Sequence, residues 1–209
     1  MTKAEVIYAG KVVLRPKRVE DAPDDYAWRC DPELADLDAT SPLTQLYSEF
    51  LRSYQEEIGN PSPWSMRWGI DDADGKHIGN CMCYDINMAF GEAELGIMIG
   101  NRDYWSRSYG YDTMVGVIDH LFTTTSLKRL YLHTLTWNNR AKRCFEKCGM
   151  TPVRTVQRYQ RELLNMELRR DTWLRVREEK LAPLRAAEAS SNGAHPAPKS
   201  RGDADSPTA

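Results

Sequence analysis

The residues best placed to do chemistry lie in Tyr104-Trp105-Ser106-Arg107-Ser108-Tyr109-Gly110-Tyr111. An apolar stretch, Glu94-Leu95-Gly96-Ile97-Met98-Ile99, precedes them, and Tyr111, Met114, Val115, Ile118, Leu121 and Phe122 follow at helical spacing. The loop therefore joins a strand to an amphipathic helix. Small residues let backbone approach a ligand there, and the first helical turn directs unpaired N–H groups and the positive end of its dipole at it. An anion fits such a place, most commonly a pyrophosphate. The chain has no G-x-x-x-x-G-K-[ST] and no G-x-G-x-x-G after a strand, which argues against a P-loop or a dinucleotide fold.

A second group of residues follows one strand later, Asn138-Asn139-Arg140-Ala141-Lys142-Arg143-Cys144-Phe145-Glu146-Lys147-Cys148-Gly149-Met150. Asn138 or Asn139 can cap a helix, Ala141, Cys144, Phe145 and Cys148 form its apolar face, and Gly149 suits its end. Arg107, Arg140, Lys142 and Arg143 are either anion ligands or a solvated basic face. The histidines His77, His120, His133 and His195 form no cluster in the sequence. Cys81 and Cys83 share a strand face, and Cys144 and Cys148 lie one helical turn apart. Neither pair has companion ligands for zinc, so no metal is expected.

These residues need a frame. Val6–Arg15 reads as a strand, Asp21–Asp38 and Leu46–Ile58 as helices, and Trp64–Ile70 with His77–Tyr84 as a hairpin around Asp74-Gly75. Glu92–Ile99 is the strand before the loop, whose helix runs to about Thr125. Leu130–Thr136, the second-motif helix, and strands near Val153–Tyr159 and Leu163–Arg169 complete the order β-α-α-β-β-β-α-β-α-β-β. That order gives an α/β sheet with helices over both faces. Residues 1–182 are expected to form one domain and 183–209 a tail, disordered from Ala186 onward, where Ala, Ser, Pro, Gly and charge dominate without periodicity.

A length of 209 residues suffices for one domain with a substantial core. The 28 Lys and Arg nearly balance the 30 Asp and Glu, for a net charge of -2, so nucleic acid is not expected as a partner. No apolar run is long enough to span a membrane, and the N-terminus lacks the apolar core of a signal peptide. Five cysteines agree with a reducing compartment. The expectation is a soluble, cytoplasmic protein.

The two motifs together resemble the GNAT superfamily of N-acetyltransferases, in particular the branch related to ribosomal-protein and spermidine acetyltransferases. That branch often reads Y-[WR]-G-K-G-Y-[GA] at the pyrophosphate loop, where this chain has Tyr104-Trp105-Ser106-Arg107-Ser108-Tyr109-Gly110. Ser106 and Ser108 stand at positions where the family usually has glycine. The second motif resembles N-x-x-[AS]-x-x-x-Y-[EK]-K-x-G-F through Asn138, Ala141, Glu146, Lys147 and Gly149. Val12–Pro16 with Glu20-Asp21-Ala22, and Ala93-Glu94-Leu95-Gly96, resemble two further stretches of the same branch. The likeness covers about residues 6–175.

The resemblance implies a mixed, mostly antiparallel central sheet in which the strands flanking the loop splay apart to admit pantetheine. Acetyl-CoA would be the co-substrate, with no metal. Ile97, Met98 and Ile99 would meet pantetheine, and Ser106, Arg107, Ser108, Tyr109 and Gly110 the pyrophosphate. Asn138, Arg140, Ala141 and Phe145 would also contact the coenzyme, with Lys142 or Arg143 near the adenine-side phosphate. Glu94 would be the base, by likeness to a glutamate common on that strand. Glu94 and Glu92 read equally well as exposed strand carboxylates paired with Lys or Arg. Phe145 replaces the family's tyrosine and has no proton for the leaving thiolate, so Tyr109, Tyr111, Tyr84 and Tyr159 are alternatives. The acceptor side is acidic, with Glu20, Asp21, Asp24, Asp25, Asp31, Glu33, Asp36, Asp38, Glu49, Glu56 and Glu57. That suits a small amine or a peptide N-terminus, although a solvated face of two helices would look the same. A homodimer is compatible with this reading. A non-catalytic acyl-CoA-binding module is the alternative to an enzyme.

Overall fold

The opening strand is in fact a hairpin. In the computed structural model, which describes residues 4–158 and 160–191, Gly10 turns the chain at φ 59° between β1 (Ile7–Ala9) and β2 (Val12–Pro16). Glycine adopts this left-handed conformation at little steric cost. The expected Asp21–Asp38 helix also divides. A 3-10 turn at Val19–Asp21 leads into α1 (Ala22–Cys30), Asp31 is extended, and Pro32 opens α2 (Pro32–Leu37). A residue before proline is pushed out of the helical region. Asp31 uses the break as a cap, its Oδ1 accepting from the N–H groups of Glu33 and Leu34 at 3.0 Å.

The other elements follow expectation to within a few residues. They are α3 (Tyr47–Gly59), β3 (Met66–Asp72), β4 (His77–Asn87), β5 (Glu92–Ile99), α4 (Tyr109–Thr124), β6 (Arg129–Leu135), α5 (Asn139–Lys147), β7 (Thr151–Arg158) and β8 (Arg161–Arg169). Tyr159 lies outside the described residues.

Eight strands form one sheet in the order β1-β2-β3-β4-β5-β6-β8-β7. Every neighbouring pair is antiparallel except β5 and β6. Those two are parallel and pair only through Glu92–Arg129, Ala93–Leu130 and Glu94–Tyr131. Beyond that point β5 stays paired with β4 out to Ile99 opposite Gly79, and β6 with β8 out to Leu135 opposite Leu163. Each strand keeps one partner and loses the other, which leaves a wedge between the C-terminal halves of β5 and β6. This is the splay the resemblance implies.

Register separates two sheet faces of opposite character. Trp68 pairs with Cys81, and the adjacent pair is Gly69 with Asn80. On the first face Leu14, Trp68, Ile70 and Cys81 are buried in one core with Val115, Ile118, Leu121 and Phe122 of α4. Burying a side chain such as Leu121 or Phe122 contributes about 1.5–3 kcal/mol relative to leaving it in water. The second face is polar: Asn80 Nδ2 donates to Asp25 Oδ1 of α1 at 2.6 Å.

A helix also runs where none is expected, α6 (Arg170–Ser191), passing through Pro183. Trp173 and Leu184 are buried in the core, and Val176 and Leu181 pack partly against it. The Glu188 carboxylate accepts the Gly10 N–H at 2.8 Å. Burial of Leu184 offsets the hydrogen bond the proline forfeits. The boundary expected at residue 183 therefore falls inside a helix, and 192–209 lie outside the described residues. No helix among the described residues is long and apolar enough to cross a membrane.

Candidate active site

The loop between β5 and α4 takes a glycine-like backbone with serines. Ser106 has φ 58° and Ser108 φ 70°, a conformation that costs an L residue about 1–2 kcal/mol. These are the two positions where the resembled pattern carries glycine. Ser108 immediately precedes α4, and its side chain makes no cap. The first helical bond at this end runs from the Asp112 N–H to the Ser108 carbonyl at 2.9 Å, so the N–H groups of Tyr109, Gly110 and Tyr111 have no intrahelical partner.

Ser108, Gly110 and Tyr111 border a cleft of about 720 Å³. Of the residues expected around the coenzyme, Ile97, Met98, Ile99, Ser106, Ser108, Gly110, Asn138, Arg140, Ala141 and Phe145 lie in its wall. Arg107 and Tyr109 do not. Arg107 is exposed and its Nη1 donates to the Asp103 carbonyl at 3.1 Å. Tyr109 stacks edge-on against Tyr104 with ring centres 4.8 Å apart. Lys142 also turns away, its Nζ donating to the Thr136 carbonyl at 2.6 Å. The cations in the wall are Lys11, Arg140, Arg143 and Lys147. Lys11 comes from the opening hairpin, where its Nζ donates to the Arg107 carbonyl and sits 4.9 Å from the Tyr109 ring centre. Nothing local in the sequence points to it.

Aromatic and capping contacts hold the cleft open. Trp105 Nε1 donates to the Ile99 carbonyl at 2.7 Å, and the Arg140 guanidinium lies 3.6 Å from the centre of the Trp105 ring. The loop thus fastens the end of β5 to the first turn of α5. Asn138 Oδ1 accepts the Ala141 N–H at 3.1 Å, so the expected cap forms. Gly149 ends this segment at φ 94°. Phe145 is buried and faces the cleft.

A second groove, about 1320 Å³, opens on the polar face of the sheet. It shares Ile97, Met98 and Asp38 with the first cleft. The two spaces therefore meet where β5 leaves β6.

Glu94 borders neither space directly. It is 2 % exposed, so it is not an exposed strand carboxylate. Its Oε1 lies 2.7 Å from His133 Nδ1, and Asn165 Nδ2 lies 3.1 Å from His133 Nε2. The amide can only donate, so Nε2 accepts and Nδ1–H donates to Glu94. His133, one of the histidines without a sequence cluster, is thereby drawn into the site. Tyr84, the cross-strand neighbour of Glu94, lines the groove. Burial, with the charge and hydrogen bond of Glu94 added, pushes its phenol well above the usual range. Glu92 follows the structural alternative, accepting from Arg129 at 2.8 Å.

The acidic stretch is not one solvated face. Asp21 and Asp25 are buried; Asp21 pairs with Arg15, and Asp25 with Lys17. Among the described residues no group of three or more His, Cys, Asp or Glu side chains converges as a metal site.

Residues 11–151 match the family model described as an acetyltransferase (GNAT) domain. The fold is similar to spermidine N-acetyltransferase from Vibrio cholerae in complex with CoA and spermine, with TM-score 0.70, 19 % identity, and coverage of 78 % of this chain and 98 % of that one. It is similar to a putative acetyltransferase from T. thermophilus, with TM-score 0.74, 17 % identity, and coverage of 88 % and 99 %. It is also similar to aminoglycoside acetyltransferase AAC(6')-Ib in complex with coenzyme A, with TM-score 0.66, 18 % identity, and coverage of 79 % and 99 %. No curated protein matches the sequence. The chain belongs to the GNAT acetyltransferase family.

Proposed function

We propose that acetyl-CoA occupies the cleft beside α4 and that a small amine or a peptide N-terminus enters through the groove on the polar face. The observation that carries this reading is the shared wall at Ile97 and Met98, at the end of the β5–β6 ladder. Pantetheine lies along Ile97–Ile99, where the lost ladder leaves backbone groups in need of partners. The pyrophosphate sits at Ser106, Ser108 and Gly110 against the helix N-terminus, with Lys11 and Arg140 supplying positive charge. Asn138, Ala141 and Phe145 line the pantetheine side. Arg107 and Tyr109 contribute through their main chain. Amine-binding neighbours, one of them solved with spermine, support an amine acceptor.

The neutral amine attacks the thioester carbonyl. A C–N bond forms, the C–S bond breaks, and the thiolate leaves with the electron pair. Glu94 takes the amine's proton through the Tyr84 phenol, which stays protonated and passes one proton on as it receives another. His133, fixed by Asn165, holds Glu94 in place. Phe145 has no proton to give, so the coenzyme thiolate leaves unassisted or is protonated from the Tyr84 side.

Thiol release from acetyl-CoA with a panel of amines tests the reading. Release with at least one amine supports it. A thermal shift with acetyl-CoA but no release would leave the non-catalytic binding module, and neither response would remove the coenzyme site.

A further inference from the structure

The charged side chains in the wall of the acceptor groove are Lys17, Asp25, Arg29, Asp38, Glu57 and Arg67, three of each sign. Most are firmly paired with one another. Glu57 accepts from Arg67 at 2.6 Å. Asp25 is saturated: Lys17 Nζ, Tyr54 Oη at 2.7 Å, His77 Nε2 at 3.1 Å and Asn80 Nδ2 at 2.6 Å surround its two oxygens. A carboxylate offers about four acceptor sites, so Asp25 has none left for a substrate cation.

Asp38 differs. Its carboxylate has one polar contact among the described residues, Arg29 at 3.7 Å, which is beyond hydrogen-bond distance. Among the described residues it is also the one carboxylate that lines both the groove and the coenzyme cleft. Its position is imposed from outside. Arg161 of β8 donates to Asp36 on one side and to the Thr40 carbonyl at 3.2 Å on the other. Ala39 between them is left-handed at φ 55°, which residues of its kind adopt rarely. The groove wall also carries Phe50, Tyr54, Tyr84, Met82 and Met98, beside uncharged polar side chains such as Gln45, Ser53 and Asn80.

Resting on the acetyltransferase reading, we propose that Asp38 receives the acceptor's ammonium group at the junction, and that the groove selects amines carrying that single positive charge on an apolar or aromatic body. A second or third positive charge would meet only carboxylates already neutralised, and would lose water without gaining a partner. Two sources present this chemistry, a small arylalkylamine and a peptide with an apolar N-terminal residue.

The test measures thiol release at saturating acetyl-CoA with phenethylamine, a short peptide bearing an N-terminal phenylalanine, and spermidine. It uses the wild type, Asp38→Asn and Asp38→Glu. One or both single-charge acceptors should exceed spermidine in kcat/KM by about tenfold or more, and which of them leads identifies the source. Asp38→Asn should raise KM for the better acceptor by about 10- to 100-fold, the size of one charge-assisted contact, with kcat nearly unchanged. Asp38→Glu should recover part of that loss. Preference for spermidine, or an unchanged KM in Asp38→Asn, overturns this inference alone. Release with none of the amines overturns the acetyltransferase reading together with it.

Discussion

Glu94 Oε1 and His133 Nδ1 lie 2.7 Å apart, across the point where β5 and β6 stop pairing. The bond fastens the base of the wedge at the place where the backbone ladder ceases to do so. Asn165 makes it directional, because its amide donates to the other imidazole nitrogen. Burying a carboxylate is costly unless donors such as this one are fixed around it.

If Glu94 is the base, Glu94→Gln keeps the shape and should lower the rate by about 10²–10⁴-fold with acetyl-CoA affinity intact. Asn165→Leu should lower kcat less, by freeing the imidazole tautomer. Single-turnover rates across pH separate the cases: an unchanged pH–rate profile in Glu94→Gln would exclude this carboxylate.

Ser106 and Ser108 carry left-handed backbone that glycine would carry more easily. Ser108→Gly should relieve about 1–2 kcal/mol of strain and lose about 0.5–1 kcal/mol to the greater freedom of glycine in the unfolded chain. The expected result is a small gain in stability, read as a higher denaturant midpoint at constant slope. A drop in midpoint would show that the serine hydroxyl has a structural partner worth more than the strain.

Much of the site is legible in the sequence because it is local. Glu92–Ile99, the loop, the Asn138 cap and Gly149 depend on neighbours a few residues away, where periodicity and capping chemistry act. Asp38 is named in the acidic stretch, but what sets its place, and what brings in Lys11 and His133, are the Arg161 clamp, the contact of Lys11 with the Arg107 carbonyl and the parallel β5–β6 register. Each of those is a long-range relation that no short window contains. The helix α6 escapes notice for another reason: its core-packed residues, buried Trp173 and Leu184 with half-buried Val176 and Leu181, are thinly spread among charges, and Pro183 argues against a helix unless the packing of Leu184 is known.

That packing gives a direct check on α6. Leu184 is 3 % exposed in the common core. Leu184→Ala should destabilise the fold by about 2–5 kcal/mol, whereas a surface residue of the same helix such as Arg185 should tolerate alanine. Equal, negligible effects at both positions in chemical denaturation would mean that the helix is not docked.

The buried pair of His77 and Asp25 sets opposite pH limits. Burial alone would lower the His77 pKa, but its hydrogen bond to Asp25 and the nearby carboxylate of Asp71, 3.6 Å away, outweigh that and raise it. Its contribution is therefore complete below its unfolded value, about 6.5, and is lost as pH rises through the higher folded value. Burial alone would raise the Asp25 pKa, but the bonds from His77 and Lys17 hold it well below the usual range. Its contribution is complete above about 4 and fades as pH falls through the lower folded value. Stability from this pair should thus be greatest between about pH 4 and 6.5. Unfolding free energy should decline above that window in the wild type and decline less in His77→Gln, as measured by urea titration at a series of pH values.

Phe145 is 6 % exposed on α5 and faces the coenzyme cleft. A tyrosine there would add a hydroxyl to a side chain that lines the cleft. If departure of the thiolate limits transfer, Phe145→Tyr should raise the single-turnover rate, provided the hydroxyl finds the sulfur as a partner. Without a partner, the buried hydroxyl costs about 1–3 kcal/mol, which should appear as a lower melting temperature. If deprotonation of the amine or product release limits turnover, the rate should hardly change. Phe145→Ala is the control for packing, because it removes the ring and adds no acid. A faster Phe145→Tyr beside a slower Phe145→Ala would identify a missing proton donor. A fall in both, with acetyl-CoA binding intact, would mean that the ring shapes the cleft and that transfer proceeds without an acid at this position.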